Sequence, residues 1–572
     1  MIVEELVRSG SDAFFIAPGS RSSPLVAAVA RNPRTHSKVH FDERGTAFAA
    51  LGYARATRNP GVWVTTSGTA LANGMPAVVE AALDGVPIIL LTADRPPELR
   101  GTGANQTIDQ PGLFGGYVRW FFDMPTPSDD IDPCFVLTTI DQAVHRSKTG
   151  RGGPVHLNCM FRDPLAPESQ SHAPQTSSAL ELWKLSKAPF TRYSDQESEL
   201  PAIDRGRLSR SLSKATRPLC ILGRLPHEDL SRSVVAWANE NSVPILPDIT
   251  SQRRLGRTAG SIVAYYDLLL GSDSFRKSVR PDAILQIGRS PTSKRLAALV
   301  SDACPDPYIL IATGPDRVDP DHRVTHRIDL TASGIDGLFS GTDFKFDLEP
   351  AWMDTWTRAD ALAGAWMDDR FGTGSDSDLS EQGVAYRLSL AIPEASVLVL
   401  GSSMPVRHAD TFASIHGAFV RLVSNRGASG IDGTLATAAG YSAGARARTT
   451  VFLGDLALLH DLNSLALADK ENLIVVVINN DGGGIFSYLP ITTPADVFER
   501  YFGTPHGYTF ENAAQMFGLH YANPDNHGDF DRAYDAALGK ERASLIEIRT
   551  DRKSNHDLHL KLQAEFNKVL DA

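Results

Sequence analysis

The feature that most constrains this chain is a pattern repeated along it: a short β-rich apolar run, a loop of small or polar residues, then a helical stretch. Between Ser11 and Ala93 the apolar runs are DAFFIAP, VWVTT and VPIILLTA, and the helical stretches are SSPLVAAVAR and a second from about Ala70 to Leu83. Parallel strands need long crossovers, and helices supply them, so the alternation predicts a parallel sheet with helices on its faces. Chemistry in such sheets gathers in the loops after the strands. Here those loops read APGSRSSP, TTSGTALAN and TADRPPELRGTGANQ. GGPVHLNCMFRDP (152 to 164) closes this first unit.

The pattern then recurs twice. RPLCILG, SVPILPD, DAILQIG and PYILIAT predict a second open α/β sheet, and ASVLVLG, AFVRLVSN, TTVFLGD and LIVVVINN a third. A chain of 572 residues is too long for one core. The expected organisation is therefore three α/β domains: 1–170, a Pro- and Ser-rich linker over 171–200, a middle domain over 201–345, and a third over 346–572. Two of the three units resemble each other in style, which suggests duplication. After the loop FGTGSDSD, Asp378 and Glu381 have the spacing of a capping box at a helix start. IGRSPTSKR has one glycine of a dinucleotide fingerprint and reads as a structural turn.

Composition narrows the function classes. A formal charge of -11 argues against a nucleic-acid surface, so any anion site must be local. The scattered cysteines (Cys134, Cys159, Cys220, Cys304) form neither a CxxC nor a Cys/His cluster, pointing to reduced thiols rather than disulfides or zinc. MIVEELVRSG carries two glutamates and no apolar h-region, and LIVVVI is far shorter than the roughly 20 residues that span a bilayer. The expectation is a cytoplasmic protein with no membrane span.

One strand ending stands out. In VVVINNDGGGIF the apolar run stops at Asn479, Asn480 and Asp481 and three glycines, and Asp455 ends the strand of VFLGD 25 residues before Asn480. A carboxylate, an amide oxygen and a loop carbonyl are hard oxygen ligands of the kind Mg²⁺ takes, and glycines let backbone N–H groups approach phosphates. A lone GD or NN is an ordinary strand ending. The pair at this spacing is far more specific.

GDLALLHD followed by INNDGGGIF resembles the cofactor motif of thiamin-diphosphate enzymes of the pyruvate decarboxylase and acetolactate synthase superfamily, with Leu456 where a glycine is usual. IAPGSRSSPL, HFDERGTAFAALG, LTADRPPELRGTGANQTIDQ, SSMPVR and SNRGASGIDGTLATAAG resemble one branch, the 2-succinyl-5-enolpyruvyl-6-hydroxy-3-cyclohexene-1-carboxylate synthases of menaquinone and phylloquinone biosynthesis. The similarity runs from about Glu4 to near residue 550. Against that family the chain begins late in the first helix, so a short N-terminal piece would precede it.

The resemblance implies thiamin diphosphate with Mg²⁺ or Mn²⁺, and 2-oxoglutarate and isochorismate as substrates. Asp455, the Asn480 side chain and the Gly482 carbonyl would hold the metal, and Asp481 would be a turn residue. Glu43 would be the acid bonding the cofactor's pyrimidine; by itself it reads as an ordinary helix start behind Asp42. Ser403, Ile431, Gly454, Leu456, Ile485 and Phe486 would complete the cofactor site. Ser20, Arg21, Arg95, Asn105, Gln106, Lys294, Arg407 and Arg426 would line the substrate pocket, with Ile485, Phe486 and Leu489 as its apolar wall. Arginine suits several carboxylates because its fork is planar, bidentate and always charged. The family also implies a homodimer or homotetramer with active sites shared between subunits. The rivals are another thiamin enzyme, such as an acetolactate synthase or a 2-oxoacid decarboxylase, and a scaffold that has lost activity.

Overall fold

The computed structural model of the chain describes residues 1–572 except 167–177, 195–197, 226–229, 257–259, 341–343, 345, 373–377 and 493–494. Among the described residues no helix is long and apolar enough to cross a membrane. Among the described residues seventeen strands form three sheets, and every strand pair within them is parallel. The α/β fold class read from the alternation holds.

The first sheet holds β1 (Ala13–Ile16), β2 (His36–Val39), β3 (Gly61–Thr65), β4 (Ile88–Asp94), β5 (Trp120–Met124) and β6 (Val155–Met160), in the order 2-1-3-4-6-5. The second holds β7 (Pro218–Leu222), β8 (Ile245–Pro247), β9 (Ala283–Ile287), β10 (Tyr308–Ala312) and β11 (His326–Asp329), in the order 11-10-9-7-8. The third holds β12 (Val397–Leu400), β13 (Arg421–Val423), β14 (Thr449–Gly454), β15 (Ile474–Asn479), β16 (His520–Ala522) and β17 (Ser544–Arg549), in the order 13-12-14-15-17-16. Renumbered from its own first strand, the third sheet has the permutation of the first, which supports the duplication.

The chain divides into two compact units, one of Met1–Gln196, Asn425–Arg448 and Ala457–Leu473, the other of Glu197–Ser424, Thr449–Leu456 and Ile474–Ala572. In the first unit, helix Glu43–Thr57 packs closely on helix Thr434–Ala445. Small residues permit the approach: a Cβ on Gly52 would lie 2.0 Å from the Thr437 carbonyl oxygen, and one on Gly440 would lie 1.9 Å from that of Ala49.

Several local expectations differ from the structure. The helix expected from about Ala70 to Leu83 is two, Thr69–Asn73 and Met75–Asp84, because Pro76 in the first turn of the second lacks the N–H a continuous helix needs. Asp378 caps nothing; the N-cap of helix Glu381–Ala391 is Ser380, whose side chain accepts the Gly383 N–H, and Glu381 is buried instead. The Pro/Ser-rich stretch carries a helix, Ser178–Leu185, with Leu180 and Trp183 buried against Leu137 and the Trp183 indole donating to Glu5 at 2.6 Å. The remainder of that stretch at 171–177 and 195–197, and 373–377 of the FGTGSDSD loop, lie outside the described residues.

Candidate active site

In the second unit, β14 and β15 are neighbours with Gly454 opposite Ile478, so the chain emerges from the two strands side by side at Asp455 and Asn480. The Asp455 carboxylate is buried. Its Oδ1 accepts the Leu456 N–H at 2.6 Å, and its Oδ2 accepts the Gly482 N–H at 2.8 Å and lies 3.2 Å from His506 Nε2. Burial raises its pKa, against the opposing pull of these same donors. Asn480 is buried too: its Nδ2 donates to Glu381 Oε1 at 2.8 Å, while its Oδ1, shut off from solvent, has no hydrogen-bond partner among the described residues. An orphaned buried amide oxygen calls for an explanation. With a carboxylate and the Gly482 carbonyl in the same loop system, the donor set fits a hard divalent cation.

The glycines serve the loop itself. Gly482 has φ +130°, and a Cβ there would lie 1.9 Å from the Gly503 carbonyl oxygen. The N–H groups of Gly482, Gly483 and Gly484 donate to Asp455, to Gly503 O at 2.8 Å and to Gly482 O at 3.0 Å. The sequence points these N–H groups at phosphates; in the structure protein acceptors take them, and the loop folding back on Gly503 accounts for that of Gly483. Asp481, φ +59°, is the turn residue expected, and it also does something not foreseen. Its Oδ1 accepts the His506 and Gly507 N–H groups at 2.8 and 2.7 Å, which fixes His506 beside Asp455. The sequence marks His506 not at all and Glu381 only as a capping-box residue, since each reaches the site by tertiary contact alone.

Other predicted residues of this unit follow the same strand ends. Ser403, after β12, has φ +73° and stands at the N-cap position of helix Met404–Phe412 without a side-chain capping bond among the described residues, and its carbonyl accepts from Arg407. Half-buried Ile485 and Phe486 lie in the short turn Gly484–Tyr488, with Leu489 just past it, and Phe486 meets Phe502 edge-on at 5.7 Å. Gly454 and Leu456 flank Asp455 and are half-buried. Lys294 is exposed at the first position of helix Lys294–Ala303, and no described hydrogen bond or ion pair joins it to the other predicted residues.

In the first unit, the loops after β1, β3 and β4 bring two arginines together. Arg21 is buried and donates to the Phe161 carbonyl at 2.9 Å, with Asp163 at 3.7 Å. Arg95 is buried and donates to the Ser67 hydroxyl; burial lowers its pKa, and the nearby Arg21 charge lowers it further. Gln106, φ +54°, donates to the Ser67 carbonyl at 2.9 Å, while Ser20 and Asn105 are exposed at the loop surface. Beneath them a polar network holds the loops: Gln110 accepts the Gly68 N–H at 2.9 Å and donates to Asn158, which donates to Asp94 and Asp123.

Glu43 opens helix Glu43–Thr57, capped by Asp42, and its Oε2 accepts from Asn73 Nδ2 at 3.2 Å. Arg426 and Ile431 lie on the loop before helix Thr434–Ala445. Buried Glu80 clamps that loop, accepting the Gly427 and Ala428 N–H groups at 2.9 and 2.6 Å and a guanidinium N–H of Arg55 at 2.7 Å. A cavity of about 480 Å³ beside the clamp is lined by Phe48, Met75, Val79, Glu80 and Ala428 among others.

Comparison with known proteins agrees with this geometry. Residues 1–113 match the family described as thiamine pyrophosphate enzyme, N-terminal TPP binding domain; 175–400 match the middle domain of thiamine pyrophosphate enzymes; and 416–548 match the C-terminal TPP binding domain. The three-sheet α/β chain is therefore of the thiamin-diphosphate enzyme class. It is 49% identical over 562 residues to a 2-succinyl-5-enolpyruvyl-6-hydroxy-3-cyclohexene-1-carboxylate synthase of Rubrobacter xylanophilus, covering 98% of this chain and 96% of that one. Proteins of the same name from Salinibacter ruber and Pelodictyon phaeoclathratiforme are 45% and 40% identical, over 100% of this chain and 96% and 95% of theirs. The chain belongs to the 2-succinyl-5-enolpyruvyl-6-hydroxy-3-cyclohexene-1-carboxylate synthase family.

Proposed function

We propose that the chain decarboxylates 2-oxoglutarate and adds the remaining succinyl unit to isochorismate, releasing CO₂ and 2-succinyl-5-enolpyruvyl-6-hydroxy-3-cyclohexene-1-carboxylate. The observation that carries this reading is the buried Arg21 and Arg95 pair, two cations brought together at strand ends despite the mutual penalty. Such a pair suits a substrate rich in carboxylates, and a pyruvate site needs fewer cations. Family membership over the full chain supports it.

Asp455, Asn480 Oδ1 and the Gly482 carbonyl would hold Mg²⁺ or Mn²⁺, which in turn binds the cofactor's diphosphate. Bound thiamin diphosphate supplies the electron sink that makes loss of CO₂ from a 2-oxoacid possible. Glu43 would be the acid that hydrogen-bonds the cofactor's pyrimidine and holds that proton. Ser403, Ile431, Gly454, Leu456, Ile485 and Phe486 would pack around the cofactor, and Ile485, Phe486 and Leu489 exclude water from the reacting carbon. Arg21, Arg95, Arg407 and Arg426, with Ser20, Asn105 and Gln106, orient the two substrates by their carboxylates and hydroxyls. Lys294 is assigned a place at the pocket edge on family resemblance alone. A homodimer or homotetramer with shared active sites, in the cytoplasm, completes the reading.

The test is incubation of purified protein with thiamin diphosphate, Mg²⁺ and 2-oxoglutarate, with and without isochorismate. An isochorismate-dependent adduct is expected. Rapid pyruvate turnover without that adduct would favour a 2-oxoacid decarboxylase or acetolactate synthase instead.

A further inference from the structure

We propose that Glu381 is a positioning residue: its carboxylate holds the Asn480 amide so that the oxygen end ligates the metal and the nitrogen end points away. The inference rests on the metal reading given above. An asparagine amide carries an acceptor at one end and two donors at the other, and only the oxygen end serves a cation. Turned by half a rotation, the same side chain would present N–H groups to the metal. The partner on the far side decides which way it stands.

That partner is Glu381, 99 residues earlier in the chain. Its Oε1 accepts Asn480 Nδ2 at 2.8 Å and the Thr550 hydroxyl at 3.2 Å, and its Oε2 lies 3.4 Å from His408 Nδ1. Oε1 already accepts the Asn480 N–H and the Thr550 O–H, so it takes the amide nitrogen and repels the amide oxygen. Glu381 is fixed in place, since it is 1% exposed and opens a helix whose N-cap is made by the adjacent Ser380. Gly484 closes the remaining side: a Cβ there would stand 2.8 Å from Asn480 Nδ2. The nitrogen end is thus enclosed against an acceptor, while the oxygen end is buried with no partner among the described residues. Partners behind a metal ligand that fix its orientation commonly change metal affinity 10- to 100-fold when removed.

The experiment titrates Mn²⁺ into the full-length chain with thiamin diphosphate present, reading free Mn²⁺ by its electron paramagnetic resonance signal. Glu381→Leu, which keeps bulk but removes the acceptor, should bind Mn²⁺ about 10- to 100-fold more weakly. Asn480→Asp alone sets two carboxylates against each other and should also bind weakly. Combining Asn480→Asp with Glu381→Gln restores a donor–acceptor pair of reversed polarity and should recover most of the affinity, and this pair decides the matter if the leucine variant does not fold. Wild-type affinity in folded Glu381→Leu, or no recovery in the double variant, overturns the proposal. Asp455→Ala serves as the reference. If it too binds Mn²⁺ as the wild type does, the metal reading itself falls; if it loses Mn²⁺ while Glu381→Leu does not, only the role of Glu381 falls.

Discussion

Gly440→Ala tests the helix pair that carries Glu43. In an exposed helix this change stabilises, because alanine is about 1 kcal/mol better than glycine in helical propensity. At Gly440 the added Cβ would lie 1.9 Å from the Ala49 carbonyl oxygen. An ordinary carbon–oxygen contact is about 3.3 Å or longer, so the helices must part by about 1.4 Å. The obstacle is helix backbone rather than a flexible side chain, so the cost falls at the upper end of the range for overpacking, about 3 kcal/mol. Net of propensity, about 2 kcal/mol of destabilisation remains, or a Tm lower by about 4–8 °C for a unit of this size. Glu43, the proposed pyrimidine partner, lies six residues before Ala49 on the displaced helix, and if it has that role a misplacement of about 1 Å can cost about 100-fold in rate. Calorimetry and kcat measured together check both effects. Gly206→Ala is the control, since its Cβ would meet only the Arg210 guanidinium at 3.5 Å, and it should raise the Tm slightly. A Gly440→Ala protein as stable as the wild type, beside a normal control, would refute the close packing and its consequence for Glu43.

Glu80→Gln should raise KM for the carboxylate substrates about tenfold, because one of the Gly427 and Ala428 N–H groups then faces an NH₂ and the loop bearing Arg426 loosens; an unchanged KM would show that the loop holds itself. If active sites are shared between subunits, co-expressing Glu43→Gln with Asp455→Asn should give hybrids with one intact site in two, about a quarter of wild-type activity for random dimers. No recovery, with each variant inactive alone, would count against sharing. Burial pushes Asp461 up to about 6, against its bonds to Ser464 and Ala436. Because the folded pKa is the higher one, its contribution is fully present below about pH 4 and lost as pH rises through about 6, up to about 3 kcal/mol. Thermal melts from pH 4.5 to 7.5 should show the wild type losing stability relative to Asp461→Asn across that window, and a constant difference would contradict this.

The fold was largely legible because most central strands are buried on both faces and read as continuous apolar runs, as VFLGD and LIVVVINN do. The strands that escaped the sequence reading are mainly edges or near-edges without that signature: HSKV of β2 is almost wholly exposed, and HYA of β16 has only three residues. β17, SLIEIR, is a central strand whose signal was present and overlooked. In the site, the proposed ligand set can be read because its members follow strand ends in sequence. The residues that hold these loops cannot be read so: Glu381 reads as a capping-box residue, and neither His506 beside Asp455 nor Glu80 under the 427–428 loop stands out in the sequence. Each acts by touching something distant in the chain, which no local pattern encodes.

The shared permutation of the first and third sheets gives that division of labour a structural basis. With β1 matching β12, β3 matching β14 and β4 matching β15, equivalent loops can be compared one by one. After β1 comes Ser20-Arg21, and after β12 come Ser403 and Arg407: both loops keep a serine and an arginine. After β3 and β4 come Ser67 and Arg95, joined by a hydrogen bond; after β14 and β15 come Asp455 and Asn480, whose oxygens face a cation in the proposed reading. One topology thus places the same three strand ends in both sheets, and a few side chains decide what each set attracts. In the proposed reading, cationic groups at the first would gather carboxylates, and anionic and amide oxygens at the third would gather a metal. This predicts that exchanging the chemistry locally, as in Arg95→Gln, should weaken the binding of carboxylate substrates while leaving Mn²⁺ affinity unchanged; a parallel loss of both would mean that the two loop sets do not act separately.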